Sequence, residues 1–409
     1  MFRIAKKDDL PKWKAILVRF ASILFGIILA GLLIAALGFD PFATFSALII
    51  GAFGSANSLV NTITIAIPLA ITALGLAIAF RMKFWNIGGE GQIIMGCVFA
   101  TFVSHNMPEN TPGLILILLM GAAGFLGGAI WAMIPGFFRV FSRTNETLFT
   151  LMMNYIALSI VQFLHYVLWR DPAALGFPKI KAIQLQAHLP TLFGVHIGWI
   201  IALVLALLVF LLIRKTKLGY EIRVVGESAP TANYAGMNVK KVMLTGVALS
   251  GGIVGLAGMV KLAGSVYTLS PSITGNAGFT AIVIAWLSGL SAPIILVVSV
   301  LIAALEQGSQ IIQIKLQVPS AVAAIIQGLI LMSALGGEFF LRYRVIRDKK
   351  HPPVIPCEII CGPDEPAGES ADDLASFEPV ESVESTESAE SADSADPGKS
   401  GESVMKGDA

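Results

Sequence analysis

Long apolar blocks alternate with short charged or glycine-rich turns along most of this chain. Several blocks reach the ~20 residues that an α-helix needs to cross a bilayer. Ten spans are predicted, at roughly 17–37, 59–80, 90–104, 112–137, 147–168, 196–213, 242–262, 278–290, 293–311 and 319–340. The third and eighth are short and rich in glycine or polar residues, as half-helices that dip into the membrane would be. The pattern predicts an all-α, polytopic transmembrane bundle over residues 17–345, preceded by a cytoplasmic segment at 1–16.

One stretch departs from this pattern in an informative way. Between the second and third spans lies Phe80–Gln92, with Gly88, Gly89 and Gly91 beside Asn86, Glu90 and Gln92. Lipid cannot satisfy free peptide N–H and C=O groups, so irregular backbone at membrane depth must be covered by protein or line a water-filled cavity. Transporters place broken segments of this kind at the substrate pathway. The expectation is that residues 86–92 run as irregular backbone beside a polar path.

Composition agrees with a membrane protein. Of 409 residues 55% are hydrophobic and 13% charged, half the charge of an ordinary soluble protein, and the mean hydropathy is +0.77. The net charge of +1 hides two opposed regions: residues 1–357 carry 26 basic and 12 acidic side chains, residues 358–409 carry 2 and 15. Basic residues favour the cytoplasmic face. With ten crossings the clusters at the start, at 81–83, 139–143, 214–241 and 342–350 share one face, and only Arg170, Lys179 and Lys181 fall on the other. Both termini are therefore expected in the cytoplasm. The run at 20–37 is long for a signal core and lacks a small-residue cleavage site after it, which reads as a retained first span.

Beyond Pro352, acidic residues recur every third position from Glu381 to Asp396 among Ser, Ala, Val and Thr. Such a segment cannot bury enough apolar surface to fold, so residues 351–409 are expected to form a disordered acidic cytoplasmic tail. Its Gly398-Lys399-Ser400 imitates the end of a phosphate-binding loop, but Asp393 stands where that motif requires Gly.

Candidate chemistry is sparse. The three cysteines imply no disulfide framework, and Cys357 with Cys361 makes a poor zinc site without partner ligands. The five histidines are scattered. No hydrolytic triad, metal cluster, cofactor motif or nucleic-acid signature occurs, so the chain is not expected to be an enzyme. Within the spans the ionisable candidates are Glu90, Glu306 and Glu338, with Lys261 and Lys315 near span ends, where they can snorkel. Amides and hydroxyls dominate instead: Asn86, Gln92, Asn145, Asn154, Tyr155, Gln162, Gln307, Gln310 and Gln327. Neutral amides suit a neutral hydrogen-bonding solute; the competing reading of each is interhelical glue worth ~0.6 kcal/mol.

Two further patterns stand out. Gly124/Gly128 and Gly251/Gly255 each have the small-xxx-small spacing that lets helix backbones approach, a weak echo of an internal duplication. The basic loop 214–241 places Ala229, Ala232 and Ala235 at helical spacing after Glu227, with Pro230 at a first-turn position and Gly236 able to end the helix. A short helix on the cytosolic face suits docking of a motor subunit.

Four segments carry a specific resemblance: Phe80–Gln92, Thr144–Leu158 (T-N-E-T-L-F-T-L-M-M-N-Y-I-A-L), Leu218–Gly236 (L-G-Y-E-I-R-V-V-G-E-S-A-P-T-A-N-Y-A-G) and Gly275–Gly289 (G-N-A-G-F-T-A-I-V-I-A-W-L-S-G). The chain resembles permease subunits of ATP-binding cassette importers, in the branched-chain-amino-acid/simple-sugar permease superfamily. It is most like the larger permease of nucleoside (basic-membrane-protein-dependent) systems. The resemblance covers about residues 15–345. The tail, the Thr147-Leu148-Phe149 triplet and Pro230 depart from the family pattern. It implies a multi-pass protein of the bacterial inner membrane that works with a cytosolic ATP-binding cassette ATPase, a second homologous permease and an extracytoplasmic substrate-binding lipoprotein. It also implies a small-molecule pathway at Asn86, Glu90, Gln92, Asn145, Asn154 and Tyr155, and ATPase coupling through Glu227, Ala229, Ala232, Ala235 and Gly236. Nucleosides are the expected solute, with riboflavin and simple sugars as alternatives. A stand-alone secondary transporter or channel is the rival class, disfavoured by the scarcity of paired intramembrane charges; a membrane scaffold is the third.

Overall fold

The computed structural model describes residues 2–6, 12–142, 144–172, 174 and 178–347; the acidic tail and Cys357/Cys361 lie outside them. Thirteen α-helices account for most of the described chain. They are α1 (Lys12–Ala36), α2 (Pro41–Phe53), α3 (Ala56–Arg81), α4 (Gly89–Asn106), α5 (Gly113–Ser142), α6 (Glu146–Phe163), α7 (Gly198–Lys215), α8 (Lys217–Glu227), α9 (Ala229–Tyr234), α10 (Val239–Lys261), α11 (Ala277–Leu287), α12 (Ala292–Leu316) and α13 (Ser320–Arg342). Among the described residues, eight helices are long and apolar enough to cross a membrane. The protein is a polytopic helical membrane bundle.

Two expected spans take a different form. The third is α4, whose side chains are buried almost all round because it runs through the centre of the bundle. The eighth is α11, which at 11 residues is too short to cross alone. A further short apolar helix, α2, was not expected. Asp40 caps it by accepting from Phe42 N at 2.9 Å, and Pro41 occupies its first turn, a pairing that starts helices well.

Helices α3, α4, α5 and α10 form the core. The two glycine pairs meet here: Gly128 of α5 lies against the Gly251 carbonyl and Gly255, and Gly255 of α10 lies against the Gly124 carbonyl. Gly96 of α4 packs on the backbone of Gly255 from another side. A methyl group at Gly96, Gly128, Gly251 or Gly255 would overlap backbone, so the small-xxx-small spacings read as an echo are two halves of one close helix crossing. At the periphery α1 pairs with α13 through Arg19 and Glu338 (3.1 Å).

Phe2–Lys6 and Tyr343–Arg347 form an antiparallel two-stranded ribbon, with Phe2 opposite Arg347. Both ends of the described body therefore lie on the same face of the bundle. At the far end of α6 and α10, π-helical turns at Leu164–Leu168 and Leu262–Val266 close the helices. The segment 178–197 folds over the end of α10, with Ile183 N bonded to Tyr267 O and Leu189 N to Ala263 O. Buried His196 wedges its ring against Gly198 and Gly264 and accepts from Gly198 N through Nδ1 at 3.2 Å.

Candidate functional site

The chain between α3 and α4 turns sharply at Lys83 (φ 56°) and re-enters the bundle. Its irregular part ends at Gly88; Gly89–Gln92 are the first turn of α4. The expectation of irregular backbone through Gln92 is thus corrected at its C-terminal half. None of Gly88, Gly89 and Gly91 has a positive φ; Gly88 and Gly91 are needed for space, whereas a Cβ at Gly89 would meet only ordinary contacts. A Cβ at Gly91 would sit 3.0 Å from Asn154 Oδ1 and Trp131 Nε1, and one at Gly88 3.0 Å from Asn86 Oδ1.

This junction is tied by amides. Asn86, fully buried, accepts from Gly88 N (2.9 Å) and from Gln92 Nε2 (3.1 Å), and donates through Nδ2 to Gln92 Oε1 (3.2 Å). Asn154 of α6 accepts from Gly91 N (2.8 Å) and donates to Ile87 O (3.0 Å). Thr150, one turn earlier, accepts from Ile87 N (3.2 Å). The first N–H groups of a helix lack intrahelical partners, and in lipid only protein groups replace water. These side chains serve that need.

Glu90 completes the junction from the other side. Its Oε2 accepts from Gly278 N, in the first turn of α11, at 2.6 Å. Two short helices, α4 and α11, thus bring their N-terminal ends together at one carboxylate, where the positive ends of both dipoles favour negative charge. Gly278 lies directly on the Glu90 backbone, so a side chain there would separate the two helices. Asn276 takes the left-handed conformation (φ 64°) just before α11. Lys261, at the end of α10, donates to Thr274 O at 2.7 Å and has Glu306 and Glu90 as charged neighbours. It does not snorkel away. The loop before α11 thus lies near a sparse set of charges, in which Lys261 forms no ion pair among the described residues.

Of the other proposed path residues, Asn145 is exposed at the start of α6, where it caps Thr147 N (3.0 Å) and Leu148 N (3.4 Å). Tyr155 is 61% exposed, about 100° around α6 from the buried Asn154. Ser159 and Gln162 share that exposed side at helical spacing, and Tyr166 is exposed beyond it in the π-helical turn. Among the described residues, neither the Tyr155 and Tyr166 hydroxyls nor the Gln162 amide has a hydrogen-bond partner, while Ser159 bonds back to Tyr155 O. The structure thus separates a buried polar latch (Asn86, Glu90, Gln92, Asn154, Thr150) from a row of polar groups on the exposed side of α6, flanked there by Met152, Ile156 and Phe163. Thr150 and Gly278 escaped sequence reasoning; both lie within the motif segments, but neither stands out by residue type.

The basic loop folds into two helices, where only the second was expected. Glu227 ends α8, and its carbonyl accepts from Lys83 Nζ at 3.2 Å. Ser228 caps α9 through Thr231 N. Ala229 and Ala235 are exposed, Gly236 takes φ 76°, and Ala232 is fully buried against the body. Tyr234, not singled out from sequence, projects outward with 93% exposure. Gly226 lies on the Arg81 carbonyl, so α8 contacts the end of α3, a few residues before the amide latch. Among the described residues no group of three His, Cys, Asp or Glu side chains is placed to hold a metal.

A bundle of spanning helices with broken segments and an interior hydrogen-bonded latch has the architecture of a membrane permease. Residues 58–335 match the family model described as branched-chain amino acid transport system / permease component. The glucose ABC transporter permease protein TsgB13 of Haloferax volcanii is 30% identical over 83% of this chain and 92% of its own. The guanosine ABC transporter permease protein NupP of Bacillus subtilis is 30% identical over 78% and 92%. The nucleoside ABC transporter permease protein NupB of Lactococcus lactis is 30% identical over 73% and 85%. The chain belongs to this family of ABC transporter permeases, and its work is transport.

Proposed function

We propose that this chain is the permease half of an importer in the bacterial cytoplasmic membrane, and that it conducts nucleosides along the exposed face of α6. The observation that carries this reading is the set Tyr155, Gln162 and Tyr166. Polar groups left facing acyl chains are costly, so this face belongs to a water-filled path or to a seam with a second permease that encloses one. Aromatic rings and an amide without nearby fixed charge suit a solute with a planar base and a hydroxylated sugar. Two similar permeases named for nucleosides or guanosine support the choice over glucose. The amide latch at Asn86, Gln92 and Asn154, with Glu90, would hold the broken backbone beside the path rather than touch solute.

The remaining parts follow the family. A cytosolic ATPase would dock on α8 and α9, with Tyr234 as its outward contact, and an extracytoplasmic binding lipoprotein would deliver solute over the loop at 169–197. The contacts of α8 with Arg81 and Lys83 give nucleotide-driven motion a short route to the latch, since only differential contacts in two states can bias an equilibrium. Uptake of labelled guanosine, riboflavin and glucose by cells expressing the complete operon tests the solute. Guanosine uptake lost with Tyr155→Ala and Gln162→Ala is expected; uptake of glucose or riboflavin alone would contradict it.

A further inference from the structure

A polar cavity lies where α3, α7, α8 and α12 meet, on the face that carries α8 and α9. It has a volume of about 290 Å³, and Arg81, Arg214 and Arg223 line it together with Ser291 and Ala292 at the N-terminus of α12. None of the three arginines pairs with a carboxylate among the described residues. Arg81 donates through one terminal nitrogen to Leu290 O at 2.6 Å, but its Nε is buried without an acceptor. Arg214 is held with its guanidinium 4.7 Å over the Phe210 ring. Ser291 does not cap α12 with its side chain, and Pro293 sits in the first turn, so the helix dipole opens into the cavity. Three like charges gathered at a helix N-terminus repel one another and call for an anion.

The surroundings say which anion. Phe210 also lines a second hollow of about 300 Å³, formed by Ala206, Leu207, Pro293 and Leu296 between α7 and α12. This hollow is apolar and adjoins the arginine cavity at Phe210, between two spanning helices. An anionic head above and an apolar channel below match one molecule: a phospholipid. Basic pockets between spanning helices at the cytoplasmic leaflet take anionic headgroups.

We propose that this site binds an anionic phospholipid, with its phosphate held by Arg81, Arg214, Arg223 and the α12 N-terminus, and one acyl chain in the α7–α12 groove. Because Arg223 belongs to α8 and Arg81 to the end of α3, the lipid fastens the coupling helices to the bundle. The proposal goes beyond the transport reading and stands whatever the solute.

Native mass spectrometry of the full-length permease, purified from bilayers of phosphatidylglycerol and phosphatidylcholine in equal amounts, tests this directly. Preferential retention of phosphatidylglycerol is expected. The exposed pair Arg214→Gln/Arg223→Gln should weaken it roughly thirtyfold, about fivefold for each basic group removed. The equally charge-reducing pair Lys240→Gln/Lys241→Gln should leave it unchanged. Ala206→Phe, which fills the groove, should also release the lipid. No preference for phosphatidylglycerol, or a preference that survives the arginine pair, overturns the site. Inorganic phosphate displacing the lipid at submillimolar concentration, with Ala206→Phe without effect, overturns the lipid and assigns a soluble phosphate ligand.

Discussion

Glu90 Oε2 accepts the backbone N–H of Gly278 at 2.6 Å, across 188 residues of chain. This bond joins the first turn of α4 to the first turn of α11, and it gives an intramembrane carboxylate a structural task. The acceptor oxygen matters more than the proton-exchanging ability. Glu90→Gln should therefore keep most of the uptake and thermal stability, while Glu90→Ala should lose about 1–3 kcal/mol of stability by leaving a buried N–H unmade. Thermal unfolding of the two purified variants measures the difference. Equal, severe loss in both would make the charge itself essential.

Close packing at the glycines yields a sharper contrast. Gly96→Ala would press a methyl group into the Gly255 backbone, whereas nothing lies within 4 Å of a Cβ at Gly328. The first variant should fail to accumulate as a monodisperse protein, and the second should behave as the parent by fluorescence-detected size exclusion. At the latch, Gly91→Val should abolish uptake by parting Asn154 from the α4 backbone.

In the coupling loop, two residues separate fold from docking. Ala232 is buried and Tyr234 is exposed. Ala232→Glu should destabilise α9 itself. Tyr234→Ala should leave the melting temperature unchanged yet reduce co-purification of the ATPase and uptake several-fold. If ATPase recovery is unaffected, α9 is not the docking element.

His196 offers a pH test just outside the spans. Burial pushes its pKa from 6.5 down to about 4, so the folded protein favours the neutral ring. Its contribution is full above pH ~6.5 and is lost as the pH falls towards 4. The melting temperature should be flat from pH 8 to 6.5 and fall below that, and His196→Gln should flatten the acid slope.

The end ribbon makes a topological prediction. Because Phe2–Lys6 pairs with Tyr343–Arg347, side-specific reporters fused at residues 2 and 350 should give the same signal, the cytoplasmic one given the basic loops. Opposite signals would break the pairing.

Much of this architecture was legible in the sequence. Apolar block length gave the long spans, because the hydrocarbon thickness fixes it. It failed for α2 and α11, which at 13 and 11 residues are apolar but too short to cross alone. Glycine content marked the α3–α4 junction but not its geometry: Gly91 and Gly278 are required by neighbours on α6 and α4, and such neighbours are invisible before the helices are packed. For the same reason Gly128 and Gly255 read as repeats when they are partners. Asn154 and Tyr155 are adjacent in sequence and were assigned one role. A helix turns 100° per residue, so one faces the latch and the other the open side.

The claim that the exposed face of α6 borders an aqueous path is tested most directly by cysteine accessibility. With Cys357 and Cys361 changed to Ser and Cys97 left buried, Gln162→Cys in the assembled transporter should react with a membrane-impermeant thiol reagent, and guanosine delivered by the binding protein should slow the reaction. Leu203→Cys on the apolar outer side of α7 should stay unreactive. If Gln162→Cys is as inert as Leu203→Cys, with or without guanosine, the face meets lipid or protein and the proposed path is wrong.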